Sequence, residues 1–533
     1  MSAGNRRKSG AAKPGEALAR LLDDLQPWKD QHSRVYISVE HQGVASHLRV
    51  RSQAAQHWLI DQVMHLADSV PTTTQIREAK WVLEAKGRAS SETHRVWTRS
   101  ALHEGCLYID LTDGTGRAVR VTQERWEIVK EVPVRFYRSE QARALPAPVR
   151  NPEGPQLRAF INVDDDGHYW LLCGALVAAL WPEGPRYITV FQGRHGTGKS
   201  TLGRIFIFLT DPQADPVQTL PRGEKDLAIA CTRQRVLLFD NVSDLRQRES
   251  DGLCRVSTGA AHSSRALYTD DEVSVIPAQA SLVLTGVGAV LDRPDAIDRA
   301  ITLELPTVPE EQREAEGDLW PRIKDARPHL FAVLLDGLQY ALAGASEITG
   351  PLPRMADAAR VAAAAMPAFG ATPEAFLAAY ARNESESYKA AIEASPIGDP
   401  LLDLVHEHGE WEGTHTDLLA ALEERTVPRR RGKGWPGAAN ALSGELARLL
   451  PALEKQGITT EYRRSRDRAS RKLITFTDEQ RDPDREAVGP ARDTVVRGVR
   501  AQGKTRPRKK GGGAPMVAEG VVGKARKLLR FGR

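Results

Sequence analysis

The stretch TVFQGRHGTGKSTLGRIFIFL, Thr189–Leu209, runs from an apolar strand pattern through a glycine-rich turn into a helix pattern, with the spacing G-x-x-x-x-G-K-S. Gly193 and Gly198 allow close backbone approach, the loop N–H groups point at a β-phosphate, and Lys199 neutralises the β/γ charge. His195 needs no role beyond filling the loop. The spacing predicts that ATP and Mg²⁺ bind here, with Ser200 as a metal ligand, at Gly193, Arg194, His195, Gly196, Thr197, Gly198, Lys199, Ser200 and Thr201.

The segments around this loop alternate strand and helix patterns. Short apolar runs bounded by turns occur at YITVFQG, RVLLFDN, ASLVLTGV and AITLELP, as a parallel sheet covered on both faces requires. We therefore predict an α/β fold, with a P-loop NTPase core over residues 156–306. Asp240 ends the second run, where a carboxylate can hold the magnesium shell. Residues 307–398, rich in Ala and Leu, are predicted to be helical.

The region before the core is predicted to form a separate domain. Residues 1–20 are basic and rich in small residues, and we expect them to be disordered. Over residues 21–150, RVYISVE and CLYIDLTDGTGRAVRV alternate apolar and polar residues around a D-G-T-G turn, which indicates hairpins in an α+β domain. In NVDDDGHYW, Asn162–Trp170, a D-x-D pair could ligate a metal, but the helix pattern behind it favours a helix cap.

Residues 399–478 combine two amphipathic helix patterns with a basic hairpin, the outline of a DNA-binding winged helix. Basic residues bracket this unit, and we predict DNA contacts at Arg429, Arg430, Arg431, Arg463, Arg464 and Arg466. Residues 479–533 are predicted to be a basic disordered tail. From Arg481 onward the chain has fifteen Lys or Arg against five Asp or Glu. Such a tail either keeps the protein in solution or neutralises nucleic-acid phosphates.

Cysteine usage and hydropathy exclude several classes. The four cysteines show no C-x-x-C spacing, which argues against a zinc ribbon and a disulfide framework and fits a reducing compartment. No run of about 18 apolar residues occurs, so no membrane-spanning segment is indicated. We expect a cytoplasmic protein without a membrane partner.

Two further segments, TGAAHSSRALYTDDEVSVIPAQASLVLTGV and LDRPDAIDRAITLELP, follow the loop and the strand that ends in Asp240. In this order the motifs resemble the superfamily 3 helicase ATPases, in particular the primase-helicase ATPases of viruses and bacterial mobile elements. More closely, they resemble the uncharacterised ATP-binding proteins of prophages and integrative elements. The likeness spans most of the chain except its termini. It implies a core that assembles as a homo-oligomeric ring, such as a hexamer, and works with DNA and other replication proteins.

The resemblance also implies roles for single residues. Asp240 matches the second-strand acid, and Thr285 stands where a sensor residue contacts the γ-phosphate or the attacking water. Arg299 matches an arginine finger that reaches the nucleotide of a neighbouring subunit, where a guanidinium stabilises transition-state charge. From the residues alone, Arg299 could equally form a structural pair with Asp295 or Asp298.

The segment Ser263–Val275 corresponds to the hairpin that lines the pore of ring-shaped relatives. Arg265 and Tyr268 are then available for a phosphate contact and a base stack; without the resemblance the segment is a surface hairpin. The chain departs from the family pattern at Asn241, where a second carboxylate is usual, and at Thr285, where Asn is usual. Asn241 cannot take a proton from water, so Asp244 becomes the nearest candidate base.

These observations favour a nucleic-acid-directed ATPase of a mobile element, helicase-like, that acts on DNA during replication or transfer. The alternative is an ATP-dependent DNA-binding switch, initiator or loader with little hydrolysis, which Asn241 favours. A small-molecule kinase with the same loop is a remote third option, because the sequence shows no evident lid or substrate domain.

Overall fold

The computed structural model describes most of the chain between residues 13 and 480. The described ranges are 13–41, 43–67, 69–154, 156–243, 245–260, 262–265, 273–276, 278–427, 431, 434–465, 470–480 and 495–497. Only the backbone is described for 41, 262–265, 273–276 and 495–497. The predicted basic tail lies almost entirely outside these ranges. None of the helices within them combines the length and apolar character needed to cross a bilayer.

The N-terminal part packs three helices on a sheet with the strand order β3-β2-β1-β4. Its elements are α1 (Pro14–Asp24), β1 (Trp28–Asp30), β2 (Val35–His41), β3 (Val44–Arg49), α2 (Gln53–Ala67), α3 (Thr73–Ala89) and β4 (Thr93–His94). Ile37, Leu59 and Leu83 are fully buried between sheet and helices. The prediction that residues 1–20 are disordered is wrong from Pro14 onward, because Pro14 starts a helix that buries Leu18.

A second, antiparallel sheet with the order β6-β7-β8-β9 follows. The elements here are β5 (Val96–Trp97), β6 (Ser100–His103), β7 (Cys106–Asp110), β8 (Ala118–Val121), β9 (Trp126–Val129), β10 (Arg135–Phe136) and α4 (Asp166–Leu180). β7 and β8 form the predicted hairpin, with the D-G-T-G turn between them. Leu107 and Val119 lie in the same core cluster as Leu172 of α4. This sheet therefore shares its core with the central region, whereas a separate N-terminal domain was predicted.

The central region is a five-stranded sheet with the order β12-β13-β16-β11-β17, parallel throughout. Its elements are β11 (Ile188–Gln192), α5 (Lys199–Thr210), β12 (Val217–Gln218), α6 (Glu224–Cys231), β13 (Val236–Phe239), α7 (Gln247–Thr258), β14 (His262–Arg265), β15 (Val273–Ile276), β16 (Ser281–Gly286), α8 (Pro294–Ile297) and β17 (Ala300–Glu304). β14 and β15 pair separately as an antiparallel hairpin. The prediction of a mixed α/β fold with a parallel sheet is confirmed. In such sheets, ligands bind where the carboxyl ends of the strands meet.

Helices dominate the described residues after β17. They and the remaining strands are α9 (Glu316–Gly344), α10 (Ala356–Ala364), α11 (Pro373–Ala394), α12 (Gly398–His408), β18 (Glu410–Gly413), α13 (His415–Arg425), α14 (Ala439–Lys455), β19 (Ile458–Arg464), β20 (Lys472–Asp478) and β21 (Val495–Arg497). The last four strands form a sheet with the order β19-β20-β18-β21. α11 contacts both β17 and α14. It therefore joins the central sheet to the C-terminal unit, which consists of α12, α13, α14 and the strands β18 to β21.

A buried ion pair joins the antiparallel sheet to the central one. The Nε atom of Arg99 donates to Asp211 Oδ1 at 2.9 Å, and both side chains are almost fully buried. The other oxygen of Asp211 accepts the backbone N–H of Arg235 at 2.7 Å. The carboxylate therefore satisfies donors from two segments that are far apart in sequence.

We predict that Asp211→Ala destabilises the protein by about 3–5 kcal/mol, because it leaves a buried guanidinium without its counter-ion. Thermal unfolding followed by circular dichroism checks this. Asp215→Ala, at an exposed position four residues on, is the control and should leave the unfolding temperature unchanged. Equal unfolding temperatures for the two variants would contradict this account of the ion pair.

Candidate functional site

The glycine-rich loop lies at the carboxyl edge of the central sheet, between β11 and α5. Three of its glycines have positive φ angles, which other residue types rarely adopt: +142° at Gly193, +77° at Gly196 and +84° at Gly198. A Cβ atom added to Gly193 would stand 2.7 Å from the carbonyl oxygen of Leu305, just beyond β17. Both the angle and the close approach therefore require glycine at this position.

Lys199, the first residue of α5, folds its side chain back over the loop. Its Nζ atom donates to the carbonyl oxygens of Gly193 at 2.9 Å and Arg194 at 2.6 Å. Burial lowers the pKa of Lys199, while the nearby carboxylates of Glu304 and Asp240 act in the opposite direction. An ammonium group held by two backbone carbonyls is placed to exchange them for the oxygens of an anionic ligand.

A chain of hydrogen bonds links the start of α5 to the ends of β13 and β16. The hydroxyl of Ser200 donates to Asp240 Oδ1 at 2.8 Å, and the buried Thr285 hydroxyl donates to the same oxygen. The Thr285 oxygen in turn accepts the backbone N–H of Asn241 at 3.0 Å. Asn241 has a left-handed backbone with φ of +56°. Two parallel strands, β13 and β16, and the helix α5 thus fix the position of the Asp240 carboxylate.

These residues line one cleft of about 260 Å³ that runs from His195 in the loop to Val287 after β16. Glu316, at the start of α9, borders the cleft and accepts a hydrogen bond from Arg204 of α5 at 3.2 Å. Arg204 lowers the pKa of Glu316, so this carboxylate remains charged. Most residues predicted to bind the nucleotide therefore share one cleft with Asp240 and Thr285.

Sequence reasoning missed three residues that support the site: Arg204, Glu316 and Asn162. The amide nitrogen of Asn162 donates to the carbonyl oxygens of Thr197 at 3.1 Å and Pro306 at 2.6 Å. It ties the loop to the chain after β17. No motif or spacing marks these residues, because their partners are far away in sequence. The neighbouring Asp165 is the predicted helix cap, and its carboxylate accepts the backbone N–H of His168 at 2.7 Å.

Arg299 does not join this cleft within one chain. It precedes β17 at the amino edge of the sheet, where its carbonyl accepts the N–H of Ile188 at 3.0 Å. At about 3.3 Å per strand residue, β17 places it roughly 20 Å from the glycine loop. The Arg299 guanidinium donates to Asp295 Oδ1 at 2.5 Å, and Arg354 shares this carboxylate at 3.0 Å. A single chain therefore shows the structural pair with Asp295.

The structure describes some of the predicted DNA-contact residues. Arg431 donates to the carbonyl of Glu423 and also lies 3.6 Å from its carboxylate. Arg463 forms an ion pair with Glu412. Arg464 is exposed near the end of the β19–β20 hairpin. Arg265 is described by its backbone alone, and the remaining predicted site residues lie outside the described ranges: Asp244, Tyr268, Arg429, Arg430 and Arg466.

Two family models match the chain. Residues 156–384 match the actinomycete integrative conjugative element replication protein, named AICE_RepA, and residues 397–491 match the AICE RepA C-terminal domain. Together these matches span more than half of the chain. Over these regions the chain belongs to the replication protein family of actinomycete integrative conjugative elements. This supports the predicted link to mobile-element replication but not superfamily 3 in particular.

Solved structures of the NrS-1 C-terminal region are also similar to this chain. One apo structure covers 88% of this chain and 100% of its own, with 12% identity and a TM-score of 0.34. Another covers 84% of this chain and 88% of its own, with 13% identity and a TM-score of 0.33. TM-scores this low do not establish a shared fold or function. No curated protein matches the sequence.

Proposed function

We propose that this replication protein is a P-loop ATPase that acts on DNA during replication of its mobile element. One observation carries the proposal: the glycine loop and Lys199 share a cleft with an Asp240 carboxylate that is bonded to Ser200. The strand β16 lies between β11 and β13, so Thr285 stands between the loop and the acid. A phosphate-binding loop, a fixed carboxylate and a polar strand-end residue form a site suited to a nucleoside triphosphate.

The residues present fit Mg²⁺. The Ser200 hydroxyl and the Asp240 carboxylate are oxygen ligands 2.8 Å apart, and Mg²⁺ is bound by one or two carboxylates together with waters and phosphate oxygens. Ser200 and Asp240 would therefore hold the ion, which neutralises charge on phosphate oxygens when it is bound. Lys199 binds the β- and γ-phosphates, and the Thr285 hydroxyl keeps Asp240 oriented toward them.

Hydrolysis also requires a base that activates the attacking water. Asn241 cannot accept a proton, and its backbone N–H is already bonded to Thr285. Glu304 ends β17 at the same edge of the sheet, is exposed, and lies close enough to act on the pKa of Lys199. We propose Glu304 as a candidate base beside Asp244. Asn241 also favours the second candidate function, a DNA-binding switch in which ATP is bound but slowly hydrolysed.

Replacing Ser200 with alanine tests the metal role. We predict that ATP binding measured by calorimetry with Mg²⁺ weakens about 10- to 150-fold, because a contact to a charged group worth about 1.5–3 kcal/mol is lost. Binding measured in EDTA should change little. Ser443→Ala, on an exposed position of α14, is the matched control. Equal losses with and without Mg²⁺ would contradict the assignment.

We infer that the C-terminal unit is a winged helix that contacts DNA. Its elements run α12, β18, α13, α14 and the β19–β20 hairpin, in which each β19 residue pairs antiparallel with β20. Arg448 on α14 is paired with Glu445, so α14 offers little free positive charge. The hairpin carries exposed Tyr462 and Arg464, which makes it the stronger candidate for DNA contact in the part of the unit that the structure describes.

We also propose that subunits assemble so that Arg299 of one chain meets the nucleotide of the next. Its position at the amino edge of the sheet excludes action on its own cleft, but it leaves a neighbouring chain within reach. Arg299 is 11% exposed and is oriented by Asp295. A finger supplied by another subunit can stabilise the transferred phosphoryl group.

A further inference from the structure

An exposed tryptophan stands beside a groove on the N-terminal helices, far in sequence from the cleft. Trp81 of α3 is 63% exposed. The chain contains ten tryptophans, all within the described ranges, and the other nine are buried or half-buried. Exposure of an indole ring to water is unfavourable. Tryptophan is enriched at binding surfaces, where a partner covers the ring.

The groove between α2 and α3 has an apolar floor and a basic rim. It encloses about 410 Å³, with Ile60 and Ile76 among its lining residues. Arg51, Arg77 and Lys80 contribute positive charge to the lining. The guanidinium carbon of Arg77 lies 5.4 Å from the ring centroid of Trp81. An aromatic face and several cations therefore meet at one groove.

Negative charge at the groove is largely neutralised. Among the described residues, Glu84 is the only carboxylate that lines it. The Glu84 side chain is 13% exposed and forms ion pairs with Arg51, at 3.3 Å, and with Arg88, at 3.7 Å. The groove as a whole therefore favours an anionic partner. Val82, another exposed residue of α3, does not line it.

We propose that this groove binds single-stranded nucleic acid, with a base stacked on Trp81 and the adjoining phosphates contacting Arg77 and Lys80. Aromatic faces flanked by cations bind single strands without reading sequence, because every base presents a stacking face. A partner helix would need a continuous apolar stripe, whereas the rim of this groove is basic. The proposal gives the N-terminal part a role that does not depend on the ATP cleft.

Photo-cross-linking tests it on the full chain. A thymidine oligonucleotide with one 5-iodouracil is irradiated with the protein, and the cross-linked peptides are mapped by mass spectrometry. We expect a cross-link at Trp81 that weakens as salt is raised. Trp81→Leu should remove it, and Trp81→Phe should retain a cross-link at residue 81. Val82→Ala should leave the yield unchanged.

Affinity gives a second readout. In a titration followed by iodide quenching, which reports mainly on the exposed Trp81, Arg77→Ala with Lys80→Ala should weaken protection of the indole. For Trp81→Leu, which lacks the quenched indole, affinity is measured instead by the fluorescence anisotropy of a labelled thymidine oligonucleotide. Loss of the stack should weaken this binding about 5- to 150-fold. The Lys199→Ala variant should keep the cross-link, so failure of the ATP site and failure of this proposal are distinguishable.

Two outcomes would overturn the proposal. One is cross-linking that maps elsewhere in the chain and never to residues 73–89. The other is protection of Trp81 from iodide that increases with protein concentration and is unaffected by oligonucleotide. That result would show that the groove binds another protein chain and not nucleic acid.

Discussion

Lys199→Ala should abolish detectable ATP binding at the concentrations where the parent protein is saturated. The ammonium is held at the mouth of the glycine loop by the carbonyls of Gly193 and Arg194. Removing it leaves the β- and γ-phosphates without their charged partner. Truncation of one member of a hydrogen-bonded charge pair costs about 2–5 kcal/mol, which is about 30- to 5000-fold in affinity. Calorimetric titration with ATP and Mg²⁺ measures this directly.

The fold should survive this substitution, because Lys199 lies at the surface of the cleft and makes no contact that the core requires. Thermal unfolding should therefore match the parent protein. Lys324→Ala, an exposed lysine on α9, is the matched control and should bind ATP normally. Equal ATP affinity for Lys199→Ala and Lys324→Ala would rule out the loop as the nucleotide site.

Arg299→Ala should bind ATP normally and hydrolyse it about 10³- to 10⁵-fold more slowly, which is the rate enhancement that arginine fingers typically provide. The reason is that the finger interacts with charge that exists mainly in the transition state. Because Arg299 lies at the sheet edge opposite to the loop, a nucleotide that it contacts as a finger would have to be bound by another chain. A mixture of Arg299→Ala and Lys199→Ala proteins should therefore recover part of the activity. In mixed assemblies, some intact loops face intact arginines.

The variant Asp295→Ala distinguishes two roles of Arg299, a catalytic finger and a structural ion-pair partner. If Arg299 only stabilises its own chain, removing Asp295 and removing Arg299 should lower stability alike and affect turnover alike. If Arg299 is a finger, Asp295→Ala should retain much more activity than Arg299→Ala. Should the mixture of inactive variants stay inactive although size-exclusion chromatography shows co-assembly, Arg299 is a structural partner of Asp295.

The strand, loop and helix around Lys199 could be predicted because their determinants are contiguous. The apolar run, the glycines and the helix start at Lys199 follow one another in sequence, and the structure places β11 and α5 there. The position of Asp240 could also be predicted, because a carboxylate that directly follows a buried strand lies at the carboxyl edge of a parallel sheet. These features depend on local pattern and on the geometry of parallel strands.

Contacts between distant segments could not be predicted. The shared oxygen of Asp240, bonded by both Ser200 and Thr285, depends on a strand order that hydropathy does not encode. Asn162, before the sheet, bonds the loop, and Glu316, after the sheet, bonds Arg204 of α5. The N-terminal region shows the same limit. The alternation of apolar and polar residues predicted the β7–β8 hairpin, but it did not predict that the hairpin packs against α4.

ATP turnover by the purified protein, measured without DNA, with single-stranded DNA and with double-stranded DNA, decides whether the protein is a DNA-directed ATPase. We expect turnover that rises when DNA is added and that is absent from Lys199→Ala under every condition. The contradicting result is a parent protein that turns over ATP no faster than Lys199→Ala with or without either form of DNA.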